Sequence, residues 1–213
     1  MIMAELIDIY TQDGEHIGVA DRDVAHRFGL WHRTIHCWII KDGSKIIFQK
    51  RGRNLAVEPG KLTSTASGHL VAGETPAQGF AREVFEEVGI KIENPVEIFS
   101  QIYQSNTAKN GKPHIDNVVW NLFVAKCDLP LSAYQPQVEE LDGFVEIDIA
   151  EFFKLADGRM KSMLALALLR GADGKFEMAE ITVRADDFLC LGGETLNEKW
   201  SPWLRQVCQK LSI

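Results

Sequence analysis

Arg82, Glu83, Glu86 and Glu87 place one guanidinium and three carboxylates within six residues, at the end of the stretch "GHLVAGETPAQGFAREVFEEVGI" that runs from Gly68 to Ile90. On a helix, Glu83 and Glu87 are four residues apart and Glu86 is three beyond Glu83. The carboxylates therefore share one face or its edge, where like charges repel. An isolated run of this kind reads as a solvated acidic face. Here a loop bounded by Gly68 and Gly73 precedes it, and glycine permits backbone approaches that a side chain would block. Hard divalent cations such as Mg²⁺ take oxygen ligands and keep several waters. A one-sided carboxylate cluster, joined by a loop carbonyl such as that of Gly68, would hold such a cation and leave positions open for phosphate oxygens and a nucleophilic water. Arg82 cannot act as a base, but its fork of donors can orient a carboxylate of the cluster. Glu74 either anchors the loop to Arg82 or favours the helix dipole.

The elements around these residues follow from local signals. Thr75 as N-cap, Pro76 at the first position, Gln78 completing a capping box and Gly89 as a left-handed stop predict a helix from Pro76 to Val88. The run "TIHCWIIKDGSKIIFQKR" reads as a strand, a tight turn around Lys41 to Ser44, and a second strand. Glu97–Tyr103, Asn117–Ala125 and Gly143–Ile149 read as further strands, with "QSNTAKNGKPH" as an exposed loop. "EFFKLA", "RMKSMLALALLR" and "EKWSPWLRQVCQKLSI" have helical patterns, and "KFEMAEITVR" is less regular. The expectation is a strand-rich core with a mixed sheet and helices on its faces.

With 213 residues, 46% hydrophobic and 25% charged, the chain can bury the core of one globular domain. A net charge of −7 and a pI near 5.4 leave no broadly basic surface for a nucleic-acid polymer, so any polyanionic substrate is met locally. Lys50 and Arg51, at the end of the hairpin, are the cations placed to meet phosphate. Arg53 and Lys61 fit a solubilising loop. Cys37, Cys127, Cys190 and Cys208 have no paired spacing, which suits reduced thiols better than a disulfide framework. The N-terminal "MIMAELIDIYTQDGE" has no apolar run long enough for a signal peptide or a membrane span. A cytoplasmic protein with no membrane partner is expected.

The carboxylate stretch resembles the signature of the Nudix hydrolases. Gly68, Glu74, Arg82, Glu83, Val84, Glu86, Glu87, Gly89 and Ile90 occupy every fixed position of that signature. The resemblance implies an α/β/α sandwich around a mixed β-sheet and Mg²⁺- or Mn²⁺-dependent hydrolysis of a small-molecule diphosphate linked to another moiety. It implies that Glu83, Glu86 and Glu87 are metal ligands, that Glu86 or Glu87 acts as base, and that Arg82 orients them. One domain spanning 1–213 is expected: an N-terminal segment 1–30, which could support a homodimer, a core 31–155, and a C-terminal helical extension 156–213.

A narrower resemblance, to the isopentenyl-diphosphate isomerase branch of the superfamily, is carried by "DIYTQDGEHIGVADRDVAHRFGLWHRTIHCWII", "IIFQKR", "SGHLVAGE" and "WSPW". It implies that His26, His32 and His69 help bind a metal. The expected second metal site is thus at His26 and His32, and the expected substrate contacts are Lys50, Arg51 and His69. His36 is expected to be packed in its strand, His16 and His114 have no readable partner, and Trp31, Trp38 and Trp120 suit core or hydrophobic wall. Two departures weigh against isomerisation: Ser67 stands where that branch has cysteine, and Val118 where it has a glutamate, with Asp116 at the preceding acidic position. The alternatives kept beside the hydrolase are an isomerase-like enzyme and a non-catalytic Nudix module that binds a ligand.

Overall fold

The computed structural model describes residues 5–55, 58–92, 94–109, 111–190 and 194–213. A hairpin of β1 (Leu6–Tyr10) and β2 (His16–Asp21) leads into the short helix α1 (Arg22–Phe28). Asp21 caps α1 by accepting from the Asp23 N–H at 2.8 Å, and Gly29 ends it at φ 62°. The central strand β3 (His32–Lys41) follows, then β4 (Lys45–Arg51), β5 (Leu62–Thr63), β6 (Ala66–His69) and helix α2 (Pro76–Val88). Strands β7 (Val96–Lys109), β8 (Lys112–Lys126) and β9 (Leu141–Asp148) precede helix α3 (Ile149–Ala156). The chain ends with β10 (Met163–Arg170), β11 (Phe176–Val183) and helix α4 (Leu196–Leu211).

The main sheet has the order β11-β10-β9-β4-β3-β8-β7, with β5 on β4 and β6 on β3. It is mixed, because β3 and β8 run parallel from His32↔Val118 to Ile40↔Lys126 while the other pairs are antiparallel. Strand alternation gives β3 two buried faces. Ile35, Cys37 and Ile39 pack with Phe80, Val84 and Val88 of α2. Trp38 and Ile40 pack with Phe152 of α3 and with Trp200, Leu204 and Val207 of α4. Helices thus cover both faces. Each large side chain buried this way contributes roughly 1.5–3 kcal/mol.

One departure from regular pairing makes room for a site. β3 and β4 pair only over Ile39–Lys41 and Lys45–Ile47, beyond which β3 turns to β6 and β4 turns to β5. The sheet splits there, and a cleft opens between the two branches. The N-terminal hairpin fixes the loop that enters α2: Ala72 N–H donates to the Leu6 carbonyl at 2.9 Å and Gly73 N–H to Asp8 Oδ2 at 2.8 Å.

Helix α2 has the expected bounds and caps. Thr75 N–H donates to Gln78 Oε1 at 2.9 Å, and Gly89, at φ 74°, donates to the Phe85 carbonyl at 3.0 Å. A Cβ at Gly89 would also lie 2.5 Å from Gln135 Cβ, so the stop and the packing both require glycine. Two expectations are corrected. "RMKSMLALALLR" contains strand β10, paired with β9 and β11, not a helix. Its apolar residues fall at almost every position, so periodicity alone does not separate strand from helix. "QSNTAKNGKPH" is not a loop for most of its length: β7 and β8 continue as a long hairpin paired out to Lys109↔Lys112, with Asn110 outside the described residues. "KFEMAEITVR" supplies β11, so the C-terminal extension adds two strands as well as a helix. All four cysteines are free thiols, and no helix among the described residues is long and apolar enough to cross a membrane.

Glu146 on β9 is buried between two lysines, Lys41 Nζ at 2.7 Å and Lys45 Nζ at 2.6 Å. Burial pushes its carboxyl up, but the two lysines outweigh burial and hold it below the ordinary value of 4.5. A carboxyl lowered in the folded state stabilises above its unfolded value and loses that contribution as pH falls through the folded value. Glu146→Gln is therefore expected to cost on the order of 2 kcal/mol at pH 7. Urea denaturation should show the difference shrinking below pH ~4.5; a gap that persists unchanged at pH 3 overturns the assignment.

Candidate active site

The floor of the cleft is made where β6 passes under α2. Glu83 and Glu87 lie one turn apart on the buried side of α2, at 9% and 3% exposure, whereas the Glu86 side chain is half-exposed. Ser67 N–H donates to Glu87 Oε2 at 3.0 Å. Gly68 sits directly against Glu83, where an added Cβ would fall 1.9 Å from Oε1. A side chain at position 68 fits only if the Glu83 carboxylate moves.

Arg82 ties the parts together. It binds Glu74 with two donors, Nε to Oε1 at 2.7 Å and Nη2 to Oε2 at 2.9 Å, and also reaches Glu83 Oε1 at 2.7 Å and Glu86 Oε2 at 3.2 Å. Its Nη2 donates to the His69 carbonyl at 2.8 Å. Of the two readings of Glu74, the anchor is the one observed. Burial works against its charge, but the Arg82 hydrogen bonds and the Val71 N–H win and hold its carboxyl below the ordinary range.

Glu83 and Glu87 shift in the opposite direction to Glu74. Burial pushes Glu83 up despite Arg82, and pushes Glu87 well up, with the charge of Glu83 adding to the effect. Two carboxylates held together with too little compensating charge favour a bound cation. Glu83 and Glu87, with Glu86 at the solvent edge, offer the carboxylate oxygens that Mg²⁺ or Mn²⁺ takes, although the ligand atoms of the three are not gathered within 4.8 Å of one another as those of the histidines are.

A second cluster is built from three distant segments. His26 comes from α1, His32 from the start of β3 and His69 from the end of β6, with ligand nitrogens within 4.8 Å of one another. His26 Nε2 and His69 Nε2 are 3.0 Å apart. His32 Nδ1 donates to the Leu30 carbonyl at 2.9 Å, which leaves Nε2 bearing the lone pair; among the described residues that buried nitrogen has no hydrogen-bond partner. Burial lowers the His32 imidazolium to about 4 and that of His69 well below its ordinary value, so both rings are neutral near pH 7. Asp116 Oδ1 lies 2.9 Å from His26 Nδ1. Three clustered imidazoles, with the buried Nε2 of His32 lacking a partner, fit a divalent metal with nitrogen affinity. His114, which had no readable partner, stacks on His26 at 4.3 Å and lies 3.5 Å from Asp116; His16 pairs instead with Asp8 at 2.9 Å.

A cleft of about 460 Å³ joins the two clusters, with Gly68, His69 and Glu87 in its lining beside Arg51. Lys50 is absent from that lining, because alternation along β4 turns it away from the side shared by Gln49 and Arg51. Of the two cations expected to meet phosphate, Arg51 lines the cleft and Lys50 does not. Arg53 is occupied by Asp142, Nε to Oδ2 at 3.0 Å, and Lys61 by the Asp186 carbonyl. His36 is not simply packed: it lines the cleft, tilted against Trp120 at 4.6 Å. Strand alternation from His32 through Thr34 could have placed it there. Glu140 and Lys199 also line the cleft and were not legible as site residues, since nothing in their local sequence links them to α2; Trp203, of the "WSPW" stretch, lines it as well. Trp38 is core, as expected.

The family model for the NUDIX domain matches residues 30–167, and the chain belongs to the Nudix family. An uncharacterized Nudix hydrolase of Clostridium acetobutylicum is 29% identical over 188 residues, covering 87% of this chain and 90% of that one. An isopentenyl-diphosphate Delta-isomerase of Corynebacterium diphtheriae is 27% identical, covering 68% of this chain and 79% of its own length. A crystal structure from Deinococcus radiodurans superposes with a TM-score of 0.54 at 17% identity, covering 72% of this chain and 90% of that one, which is a likeness of fold.

Proposed function

We propose that this chain is a divalent-metal-dependent diphosphate hydrolase acting on a small organic diphosphate, such as a nucleoside diphosphate derivative. The observation that carries the reading is the buried Glu83–Glu87 pair beneath Gly68, opening into a cleft that also presents Arg51. When bound there, Mg²⁺ or Mn²⁺ would polarise a phosphoryl oxygen and acidify a water. The chain's own residues do the rest. Arg82 holds Glu83 and Glu86 in place through Glu74. Glu87, or Glu86 at the solvent edge, accepts the proton of the attacking water, and Arg51 meets phosphate charge. The histidine cluster would hold a second metal through His26, His32 and His69. A panel of organic diphosphates with Mg²⁺ and Mn²⁺, read by released phosphate or nucleotide, tests the reading. Binding without turnover across the panel would favour a ligand-binding module.

The histidine cluster favours the isomerase as a second reading, but the proton carriers are missing. Shifting an allylic double bond needs one group to protonate carbon and another to remove a proton from the neighbouring carbon. Ser67 is a very weak acid, and its backbone N–H is engaged by Glu87. Val118, buried beside His32 in the β3–β8 pairing, transfers no proton. The protein is therefore expected to incorporate no deuterium from heavy water into isopentenyl diphosphate, followed by NMR. Clear metal-dependent incorporation at carbon would make the isomerase the better reading.

A further inference from the structure

Lys199 is a buried cation that the proposed hydrolysis does not use. It lies on α4, is 7% exposed, and belongs to the lining of the cleft at the aromatic wall formed with Trp203 and Trp120. Its only acidic neighbour within 4 Å among the described residues is Glu194, at 3.7 Å and half-exposed. Its Nζ also sits 5.8 Å over the Trp200 ring. Taking an ammonium out of water costs several kcal/mol unless a close counter-charge and hydrogen bonds replace the water, and a long contact to a solvated carboxylate supplies little of that. The neighbouring cleft residue His36 adds no negative charge: burial first, and then the charge of Lys199, lower its imidazolium to about 4, so the ring is neutral. Among the described residues Lys199 thus has no carboxylate closer than 3.7 Å. Arg51 lines the same cleft from β4, on a different element from Lys199.

We propose that Lys199 is a specificity-determining residue, and that the cleft selects organic diphosphates whose organic moiety carries its own anionic oxygen, a carboxylate or a phosphomonoester, seated against the tryptophan wall. The inference rests on the hydrolase reading for the placement of the diphosphate at Glu87 and Arg51. It assigns the C-terminal extension to recognition of the organic moiety, because α4 supplies Lys199, Trp200 and Trp203 together. A buried ammonium matches a full negative charge better than a neutral carbonyl.

Two matched pairs separate the sources of that charge: UDP-glucuronate against UDP-glucose for a carboxylate, and NADPH against NADH for a phosphomonoester. For each pair, kcat/KM is measured with the unmodified protein, and affinity is measured by calorimetry with Glu87→Gln. The expected result is at least a ~10-fold preference for the anionic member of one pair, collapsing to within ~2-fold in Lys199→Met and partly retained in Lys199→Arg. No preference in either pair, or a preference that Lys199→Met leaves intact, overturns the proposal. A preference in affinity without turnover of any member sinks the hydrolase reading and leaves this one standing. Turnover without preference does the reverse. If Lys199→Met fails to fold, Lys199→Gln takes its place with the same collapse expected, and a preference that it leaves intact overturns the proposal.

Discussion

Glu87→Gln is expected to lower kcat for metal-dependent diphosphate hydrolysis at least ~100-fold while the protein remains folded. The amide is nearly isosteric with the carboxylate and still accepts the Ser67 N–H bond that Glu87 Oε2 makes at 3.0 Å. It removes the charge that burial and Glu83 both oppose, so in the absence of metal the variant should melt no lower than the parent. It cannot take a proton from water and is a poorer donor to a hard cation, and each loss is worth several kcal/mol at the transition state. Steady-state hydrolysis and thermal melts, with and without EDTA, check both halves. Undiminished turnover in the variant, or hydrolysis that persists in EDTA, would mean that the carboxylate stripe of α2 is not the reaction centre.

Gly68→Ala should be nearly as damaging although it changes no functional group. The new methyl would fall 1.9 Å from Glu83 Oε1 and 2.1 Å from its carboxyl carbon, so the carboxylate has to leave its place. Arg82 holds that carboxylate at 2.7 Å and cannot follow it without loosening its fork on Glu74. Displacement of a reacting constellation by about 1 Å can cost on the order of 100-fold in rate. The expected outcome is a ~100-fold fall in kcat/KM together with weaker Mn²⁺ binding by calorimetry. Parental metal affinity and rate in Gly68→Ala would show that Glu83 does not need its observed position.

The parts of this molecule that were legible beforehand are those whose causes lie close together in the chain. The bounds of α2 follow from Thr75, Gln78 and Gly89 because helix bonds and caps close within about four residues. The shared face of Glu83 and Glu87 follows from the same short repeat. The β3–β4 hairpin was readable because its turn joins adjacent partners. Strand β10 was not readable: "MLALALL" is apolar on both faces, and what makes it a strand is its place between β9 and β11. The extension of β7 and β8 past Tyr103 was missed because polar residues such as Asn106, Thr107 and Lys109 pair out to the tip of an exposed ribbon, where no hydrophobic pattern marks them.

The sequence by itself determined the Nudix signature, the carboxylate stripe and its glycine loop, because donor chemistry and helical spacing are local properties. Tertiary structure alone decided how these become a site. It put Arg51 and not Lys50 in the cleft lining through the face of β4, and it resolved Glu74 as the anchor of Arg82. It gathered His26, His32 and His69 from three elements, and added His114 and Asp116 beside them. It also brought Lys199 on α4 to the lining of the cleft shared with Glu87, over a hundred residues earlier in the chain. The physical reason is the same throughout: helix spacing is set by backbone bonds of short range, whereas strand pairing and cleft lining depend on which remote segments bury their apolar faces together.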